Sequence, residues 1–202
     1  MQQLPTCVIL DQDDTGLELT SPADGVDFDL NGDGARERVG WIRSQSQDGF
    51  LAIDVNKNGT IDNGTELVGS GLKHPKLEKK MNGFDALLYL QNVTTGADGR
   101  PTVEVNSQLD AGDAAYQEFR VWIDANHNGR SEREELSTLP QAGITALSPA
   151  YRRAPESGTY APGTTLGNPN GNVVVFYERY FFTKVVPGAP RRTAFEVRLQ
   201  RK

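Results

Sequence analysis

The chain has 202 residues and a mass of 22.1 kDa, a size typical of one domain with room for a buried core. It contains no run of about eighteen apolar residues, which predicts no transmembrane segment, and its single cysteine excludes an internal disulfide. The first seven residues show no basic stretch followed by an apolar one, so we expect no secretory signal at this end.

Charge is divided unevenly along the chain, whose net value is −6. Residues 1–150 carry 12 basic and 24 acidic side chains, whereas residues 151–202 carry 9 basic and 3 acidic ones. We therefore predict an acidic module, 1–150, and a basic C-terminal segment, 151–202, packed on the same domain. The basic segment either docks on the acidic body or offers a surface for an anionic glycan or lipid phosphates. The overall acidity disfavours nucleic acid as a partner.

Four loops place oxygen-bearing side chains at alternate positions, a pattern typical of a calcium site. A twelve-residue calcium loop uses side chains at positions 1, 3 and 5, a glycine turn at 6, the backbone carbonyl of position 7, and acids at 9 and 12. Asp, Asn and Gly are also ordinary turn residues. Turn preference alone does not explain why oxygens alternate with arbitrary residues in several stretches, so the repetition favours EF-hand-like loops.

The first two loops follow predicted strands at Val8–Leu10 and Val26–Phe28. The first loop is the least complete, with acids at positions 1 and 3 and Thr15 at position 5; its candidate ligands are Asp11 and Asp13. The second loop has Gly40 at position 12 and needs a further ligand, for which the first loop is a candidate donor. Its own candidate ligands are Asp29, Asn31, Asp33, Ala35 (through its carbonyl) and Glu37.

The other two loops follow predicted strands at Phe50–Ile53 and Val121–Ile123. The third loop closes one residue later than the standard spacing, and a bulge at Asn63-Gly64 would absorb the difference. Its candidate ligands are Asp54, Asn56, Asn58, Thr60, Asp62 and Glu66. Ile61, at position 8, is expected to contact another loop. The fourth loop fits the pattern position for position, with candidate ligands Asp124, Asn126, Asn128, Arg130, Glu132 and Glu135.

Apolar residues at helical spacing predict short helices within residues 82–90, 114–119 and 132–139, the second capped by Asp110 and Asp113. The segment 91–108 lacks ligand positions, and the Pro- and Gly-rich stretch 154–172 is expected to be irregular. Residues 173–183 and 193–199 predict a final β-hairpin around Pro187-Gly188. We expect an α+β fold, a loop-rich calcium-stabilised single domain with short helices, short strands and this hairpin. The expected core residues are Trp41, Phe84, Leu87, Leu88, Tyr116, Phe119, Trp122, Leu136 and Leu139.

The ordered set of motifs resembles the calcium-binding module of large bacterial RTX exoproteins and adhesins, including FrpC-like proteins. The resemblance covers about residues 8–148 and rests on these segments: Phe28–Gly34, Gly40-Trp41, Leu51–Asp62, Gly64–Leu67, Asn82–Phe84 and Arg120–Asn126. It implies a module that folds on meeting calcium outside the cell. Some family members also cut an Asp-Pro bond at the N-terminal edge of the module. None of the eleven prolines here follows an aspartate, and Leu4 precedes Pro5.

Three functions are therefore compared. The first is an extracellular or cell-surface module that binds about two to four calcium ions and mediates structural or adhesive contact with a surface protein or anionic glycan. The second is calcium-dependent self-processing, whose cleavage site is missing from this chain. The third is an adaptor that grips a partner protein with paired loops. A conventional hydrolase is disfavoured because the chain has only His74 and His127, and His127 sits at a loop position that points outward.

Overall fold

A computed structural model describes residues 4–77, 81–91, 93–95, 101–103, 108–153, 158–159, 165–166, 172–182 and 191–202. The predicted irregular stretch at 154–172, most of the segment 91–108 and the turn at Pro187-Gly188 lie largely or wholly outside these residues. Within the described ranges, no helix combines the length and the apolar character needed to cross a membrane.

Strands dominate the part of the chain that is described. They are β1 Thr6–Asp11, β2 Val26–Phe28, β3 Glu37–Val39, β4 Gly49–Ile53, β5 Val93–Thr95, β6 Pro101–Val103, β7 Leu109–Asp110, β8 Phe119–Trp122, β9 Leu136–Thr138, β10 Ile144–Leu147, β11 Arg152–Arg153, β12 Gly158–Thr159, β13 Thr165–Leu166, β14 Val173–Phe182 and β15 Arg191–Arg198. One α-helix, α1 Gly83–Leu90, and three short 3-10 helices at Pro22–Asp24, Ala114–Glu118 and Arg133–Glu135 complete the described elements.

Nine of these strands form one antiparallel sheet. Its order is β7-β10-β14-β15-β1-β4-β8-β9, with β11 pairing to β14. The hairpin β2–β3 forms a separate two-stranded sheet. The expected α+β class is therefore wrong, because the described chain is mainly β with a single helix of eight residues. The short apolar runs are rich in β-branched and aromatic residues, which pack well in strands. Two of the three segments predicted as helices include part or all of a strand, β8 or β9.

The central strands are buried on both faces. In β1, Cys7 and Ile9 join one hydrophobic cluster, while Val8 and Leu10 join a second cluster on the opposite face. Side chains alternate in β4 in the same way: Phe50 and Ala52 face the first cluster, and Leu51 and Ile53 face the second. Continuous apolar runs, rather than an alternating pattern, are the expected result for strands covered on both sides.

Two predicted helices have a different structure. Residues 114–118 form a 3-10 helix because β8 begins at Phe119, and Asp113 at its N-terminus accepts a hydrogen bond from the backbone N–H of Asp110 (2.9 Å) without capping the helix. Residues 132–139 were wrongly predicted as helical. Only Arg133–Glu135 turn helically, and β9 then pairs with β8, placing Leu136 opposite Trp122. The helix predicted within 82–90 is confirmed as α1. Asn82 caps its N-terminus, because the Asn82 side-chain oxygen accepts a hydrogen bond from Asp85 N–H.

The predicted C-terminal hairpin is confirmed in β14 and β15, which pair in an antiparallel arrangement. This hairpin is part of the main sheet, because β15 also pairs with β1 from Thr6↔Arg198 to Asp11↔Thr193. A buried carboxylate, Glu196, ties β15 to its surroundings by accepting hydrogen bonds from the Thr6 hydroxyl and from Gly83 N–H (2.9 Å). Burial raises the pKa of Glu196. The first and last strands therefore lie side by side in the middle of the sheet.

An aromatic group lies beneath the loops on the first face of the sheet. Trp41 packs against Phe50 with ring centroids 4.4 Å apart, against Phe28 at 4.9 Å and against Trp122 at 5.5 Å. All four rings are fully buried, as are the other expected core residues apart from Leu88 and Leu136, which are half-buried. Two rings of this aromatic cluster, Trp41 and Trp122, contact the acidic loop 124–135 directly.

Candidate metal centre

The four acidic loops share one backbone conformation. In each, the fourth and sixth residues have positive φ, a conformation that residues other than glycine rarely adopt. The fourth residues are Asp14 (63°), Gly32 (70°), Lys57 (59°) and His127 (58°), and the sixth are Gly16 (95°), Gly34 (90°), Gly59 (91°) and Gly129 (67°). Even the first loop, which has the fewest ligand-type residues, makes the same turn as the other three.

The first aspartate of every loop makes the same hydrogen bond. Its Oδ2 accepts from the backbone N–H of the glycine five residues later, at 3.0 Å for Asp11, 2.9 Å for Asp29, 2.8 Å for Asp54 and 2.8 Å for Asp124. Each loop therefore wraps around its own first carboxylate. This arrangement concentrates oxygen ligands inside a tight turn, as a hard cation requires.

Loop 124–135 joins the end of β8 to the start of β9. Its closing residue, Glu135, accepts hydrogen bonds from Ala125 N–H (3.0 Å) and, through its other oxygen, from the indole N–H of Trp122 (3.2 Å). The indole N–H of Trp41 donates to Asp124 Oδ2 at 2.7 Å. Both tryptophans, expected only to fill the core, thus hold the first and last carboxylates of this loop.

Loop 54–66 repeats this closing arrangement despite its extra residue. Glu66 Oε1 accepts from Val55 N–H (3.0 Å), as Glu135 does from the matching Ala125, and Glu66 Oε2 accepts from Asp62 N–H (2.8 Å). Glu66 therefore makes the same backbone contact as the twelfth residue of loop 124–135, although it lies one position later in its own loop. At the predicted bulge, Asn63 accepts a hydrogen bond from Thr65 N–H (3.0 Å).

The loops contact one another through their eighth residues. The backbone N–H of Ile61 donates to Ser131 Oγ at 2.5 Å, and both residues are buried. Loop 29–37 joins the same group, because Arg36 donates to the Gly129 carbonyl at 2.6 Å. A cleft of about 420 Å³ lies between the three loops, lined by residues that include Asp29, Asp62 and Arg130. Three of the four loops therefore form one surface.

Loop 29–37 connects β2 to β3 and closes differently. With glycine at position 12, its acid at position 9, Glu37, accepts from the Asn31 amide (3.1 Å) and lies 3.8 Å from the Arg201 guanidinium. The second oxygen of Glu37 is buried and has no hydrogen-bond partner within the described residues. The basic C-terminus therefore reaches this loop and balances part of its charge.

Acids within one loop have opposing pKa shifts. Burial raises the pKa of the closing residues Glu66 and Glu135. At position 9, a hydrogen bond from the side-chain amide of Asn128 lowers the pKa of Glu132. Partial burial opposes a similar shift at Asp62, but hydrogen bonds from the side-chain amides of Asn56 and Asn58 lower its pKa. In these two loops, burial thus disfavours the charged form of the closing acid, while hydrogen bonds favour that of the acid at position 9.

Loop 11–18 brings its acids to a residue that sequence analysis missed. One carboxylate oxygen each from Asp11, Asp13 and Asp48 lies within 4.8 Å of the other two. Burial, together with the nearby Asp13, raises the pKa of Asp11 to about 6, and burial raises that of Asp48 to about 7. Within the described residues, this is the one group of three His, Cys, Asp or Glu side chains so close together. In the other three loops, asparagine amide groups donate to the acids instead.

Two side chains of types that can serve as a base or a nucleophile, His127 and Cys7, make hydrogen bonds elsewhere. The ring nitrogens of His127 face the carbonyl oxygens of Ile42 (2.7 Å) and Asp24 (2.9 Å), outside the loop's own ligand positions. Cys7 is fully buried in β1, where its thiol donates to the Val197 carbonyl and burial raises the thiol pKa. Neither residue has the exposed, activated environment of a nucleophile or base.

The fold and the loops together define a class of protein, a mainly antiparallel β domain whose acidic loops begin at the ends of strands. The sequence matches the SPM domain family over residues 8–168, and the chain belongs to that family. It is 36% identical over 145 residues to the iron-regulated protein FrpA of Neisseria meningitidis serogroup C. This match covers 71% of the chain but only 12% of FrpA. The predicted resemblance is therefore confirmed as a relation to FrpA, whereas calcium binding stays a prediction.

Proposed function

We propose that this chain is the calcium-binding module of a bacterial exoprotein, folded or stabilised by Ca²⁺ and engaged in structural or adhesive contacts. The observation that carries the proposal is the repeated loop, with positive φ at positions 4 and 6 and the same Asp-to-Gly hydrogen bond in all four copies. A shared turn of this kind around oxygen-bearing side chains has a ready explanation in a hard cation.

The side chains fit calcium rather than a softer metal. The ligand positions offer carboxylate and amide oxygens together with backbone carbonyls, and Ca²⁺ prefers such oxygen donors. Loops 54–66 and 124–135 each provide a complete set, including a closing glutamate. Loop 29–37 lacks this residue and would complete its shell with water or with a ligand from elsewhere.

Calcium would act on the fold through linkage. Carboxylates confined in a loop repel one another, and a cation that binds only the folded loop removes this repulsion and stabilises the folded state. A ligand at 100 times its Kd contributes about 2.7 kcal/mol at each site. With four loops on one domain, calcium can decide whether the module is folded.

An extracellular or cell-surface location is part of the proposal, because an exoprotein module would meet calcium outside the cell. Extracellular calcium modules bind at about 10⁻⁴ to 10⁻³ M, and sensor sites at about 10⁻⁷ to 10⁻⁵ M. We expect this module near the weaker end, where it would respond to calcium outside the cell. The exposed Arg152 and Arg153 offer a surface for an anionic glycan, and a surface protein is the other candidate partner.

Circular dichroism with thermal melting in EDTA, in calcium and in magnesium tests the proposal. We expect calcium at about 10⁻⁵ to 10⁻³ M to raise Tm or induce folding, with a smaller effect of magnesium, whose octahedral preference suits these loops poorly. Glu135→Gln should reduce the calcium effect. Arg130→Ala should preserve it, because position 7 contributes only its carbonyl. A melting curve that is the same in EDTA and in calcium would reject the proposal.

Intact mass measured on the same calcium-treated sample tests self-processing. The module hypothesis predicts an unchanged mass, because no aspartate precedes any of the eleven prolines. Discrete fragments after calcium addition would favour self-processing at another bond. A pull-down with immobilised anionic polysaccharide, compared between calcium and EDTA, then tests the adhesive part of the proposal.

A further inference from the structure

We propose that a cleft beside loop 54–66 binds the carboxylate of an acidic sugar when the module holds calcium. The cleft has a volume of about 400 Å³, within the roughly 300–1,000 Å³ typical of small-molecule sites. Its lining includes Arg120, Arg133 and Gln141, together with Asp54 from the loop. This inference rests on the proposed function and deepens it, because it gives the anionic glycan a defined position on the module.

Strand pairing explains how Arg120 reaches this cleft. In β8, Arg120 lies opposite Ala52 of β4 and Thr138 of β9, and residues directly opposite one another in a sheet share a face. Ala52 belongs to the first hydrophobic cluster, whereas Thr138 lines the cleft. The half-buried Arg120 therefore stands at the border between the core and the cleft.

The guanidinium of Arg120 is held in place but not neutralised. Its Nη1 donates to the backbone carbonyls of Gln117 and Phe119, both at 2.8 Å. Among the described residues, its Nε and Nη2 groups have no hydrogen-bond partner and no carboxylate forms an ion pair with it. The N–H groups of Nε and Nη2 lie on one side of a guanidinium and match the two oxygens of a carboxylate. An incoming carboxylate would therefore meet a fixed pair of donors.

Arg133 and Gln141 add further donors at the cleft. The exposed side chain of Arg133 makes no hydrogen bond or ion pair within the described part of the chain. Gln141 Oε1 accepts from the backbone N–H of Thr138 at 2.9 Å and from its hydroxyl at 3.0 Å. These two bonds fix the orientation of the Gln141 amide, so its NH₂ group can donate to a carboxylate or a sugar hydroxyl.

Bound calcium would remove the charge that opposes an anion in this cleft. Asp54 is the first candidate ligand of loop 54–66, and its carboxylate accepts from Asn58 N–H (3.1 Å) and Gly59 N–H (2.8 Å). In the described part of the chain it forms no ion pair with either arginine of the cleft. A calcium ion held by Asp54 would offset its negative charge. The two arginines would then attract an anion without a competing carboxylate.

The chemistry of the cleft favours a sugar over an acidic peptide. Among the described residues that line it, Leu136 is the one apolar side chain. Tight contacts with a protein partner depend on buried aromatic and apolar anchors, which this cleft does not accommodate. The guanidinium and amide groups instead suit a ring that carries both a carboxylate and hydroxyl groups. A uronic acid unit of an anionic glycan has this chemistry.

Nuclear magnetic resonance on the full 202-residue chain in saturating calcium tests this site. Glucuronate is the probe, and its methyl ester, which keeps the ring but has no charge, is the ligand control. We expect millimolar glucuronate to shift the Nε–H signal of Arg120 and the ester to leave this signal in place. N-acetylglutamate α-amide, a model of an acidic side chain, should shift it less than glucuronate does.

Two variants test whether the arginines of the cleft hold the probe. Arg133→Gln is the main variant, because its side chain is exposed and the fold does not depend on it. We expect it to bind glucuronate about tenfold more weakly, since it removes a hydrogen bond to a charged group. Arg43→Gln is the matched control: it removes the same charge from an exposed arginine outside the cleft and should bind as the wild type does.

Thermal melting of the same samples separates the possible failures. A wild type that melts alike in EDTA and in calcium would reject the proposed function together with this site. A wild type stabilised by calcium, with no shift from glucuronate or an equal shift from its ester, would overturn this site and leave the proposed function standing. Equal affinity of Arg133→Gln and Arg43→Gln for glucuronate would also overturn it. Binding of the glutamate model as tight as that of glucuronate would overturn the assignment to a glycan.

Discussion

Loops 124–135 and 54–66 have nearly the same ligand pattern but differ in how they are attached to the core. Asp124 is buried and accepts from the Trp41 indole, and Glu135 accepts from that of Trp122. Asp54 is half-exposed, and the described hydrogen bonds to its carboxylate come from Asn58 and Gly59 of its own loop. A ligand pattern therefore specifies a candidate site, whereas burial decides how strongly that site is coupled to the fold.

The largest difference is expected between Asp124→Ala and Asp54→Ala. Each substitution removes the first ligand of one proposed calcium site, but Asp124→Ala also leaves the buried N–H groups of Trp41 and Gly129 without an acceptor. An unsatisfied buried donor costs about 1–3 kcal/mol. We therefore expect Asp124→Ala to lower the free energy of unfolding by about 2–3 kcal/mol more than Asp54→Ala. Urea unfolding at one saturating calcium concentration measures the difference, and equal losses would contradict the comparison.

Trp41→Phe tests the attachment itself. It keeps an aromatic ring in the cluster but removes the N–H that orients Asp124. Loss of such an orienting partner typically weakens metal binding about 10–100-fold. A calcium titration followed by the remaining Trp122 emission should show this change. Phe50→Leu is the control, since Phe50 packs in the same cluster and has no polar atom to orient the loop. Stability loss in both variants with unchanged affinity would mean that Trp41 only fills space.

A smaller effect is expected where the two loops meet. Ser131→Ala removes the acceptor for the buried Ile61 N–H. We expect this to lower the free energy of unfolding by about 1 kcal/mol. If the contact couples the loops, the variant should bind calcium less cooperatively as well as more weakly. Isothermal titration calorimetry measures calcium affinity and cooperativity in this variant. Ser137→Ala, a substitution in β9 outside the contact between the loops, is the control. An unchanged binding curve would show that the two loops act independently.

Sequence alone predicted the loops because their signal is local. Alternating oxygens and a glycine at position 6 lie within twelve residues, and the structure gives all four stretches the same turn. The closeness of Asp48 to Asp11 depends on the β1–β4 register, and the hydrogen bonds from Trp41 and Trp122 to the loop depend on packing across the sheet. These relations join residues that are distant in sequence, which local patterns do not record.

The flanking elements were mispredicted for a related reason. Residues 132–139 have spacing compatible with a helix, and a calcium loop is ordinarily followed by one. In this fold, Leu136 pairs with Trp122 instead, so hydrogen bonds to β8 replace those within a helix. Tertiary pairing thus overrode local preference. The hairpin β14–β15 was predictable because two strand-like segments lie close together in the chain: 173–183 is rich in β-branched and aromatic residues, and apolar and charged residues alternate in 195–199.

The pairing of β1 with β15 sets the order in which the sheet can form. Thr6 lies opposite Arg198, so the centre of the sheet joins residues from nearly the two ends of the chain. Contacts of such high sequence separation carry a large loop-closure entropy and slow folding. The acidic loops involve only local contacts and can form early, whereas β1 completes its pairing only when β15 docks beside it. We therefore expect this module to fold slowly, with the β1–β15 pair at the centre of the sheet forming last.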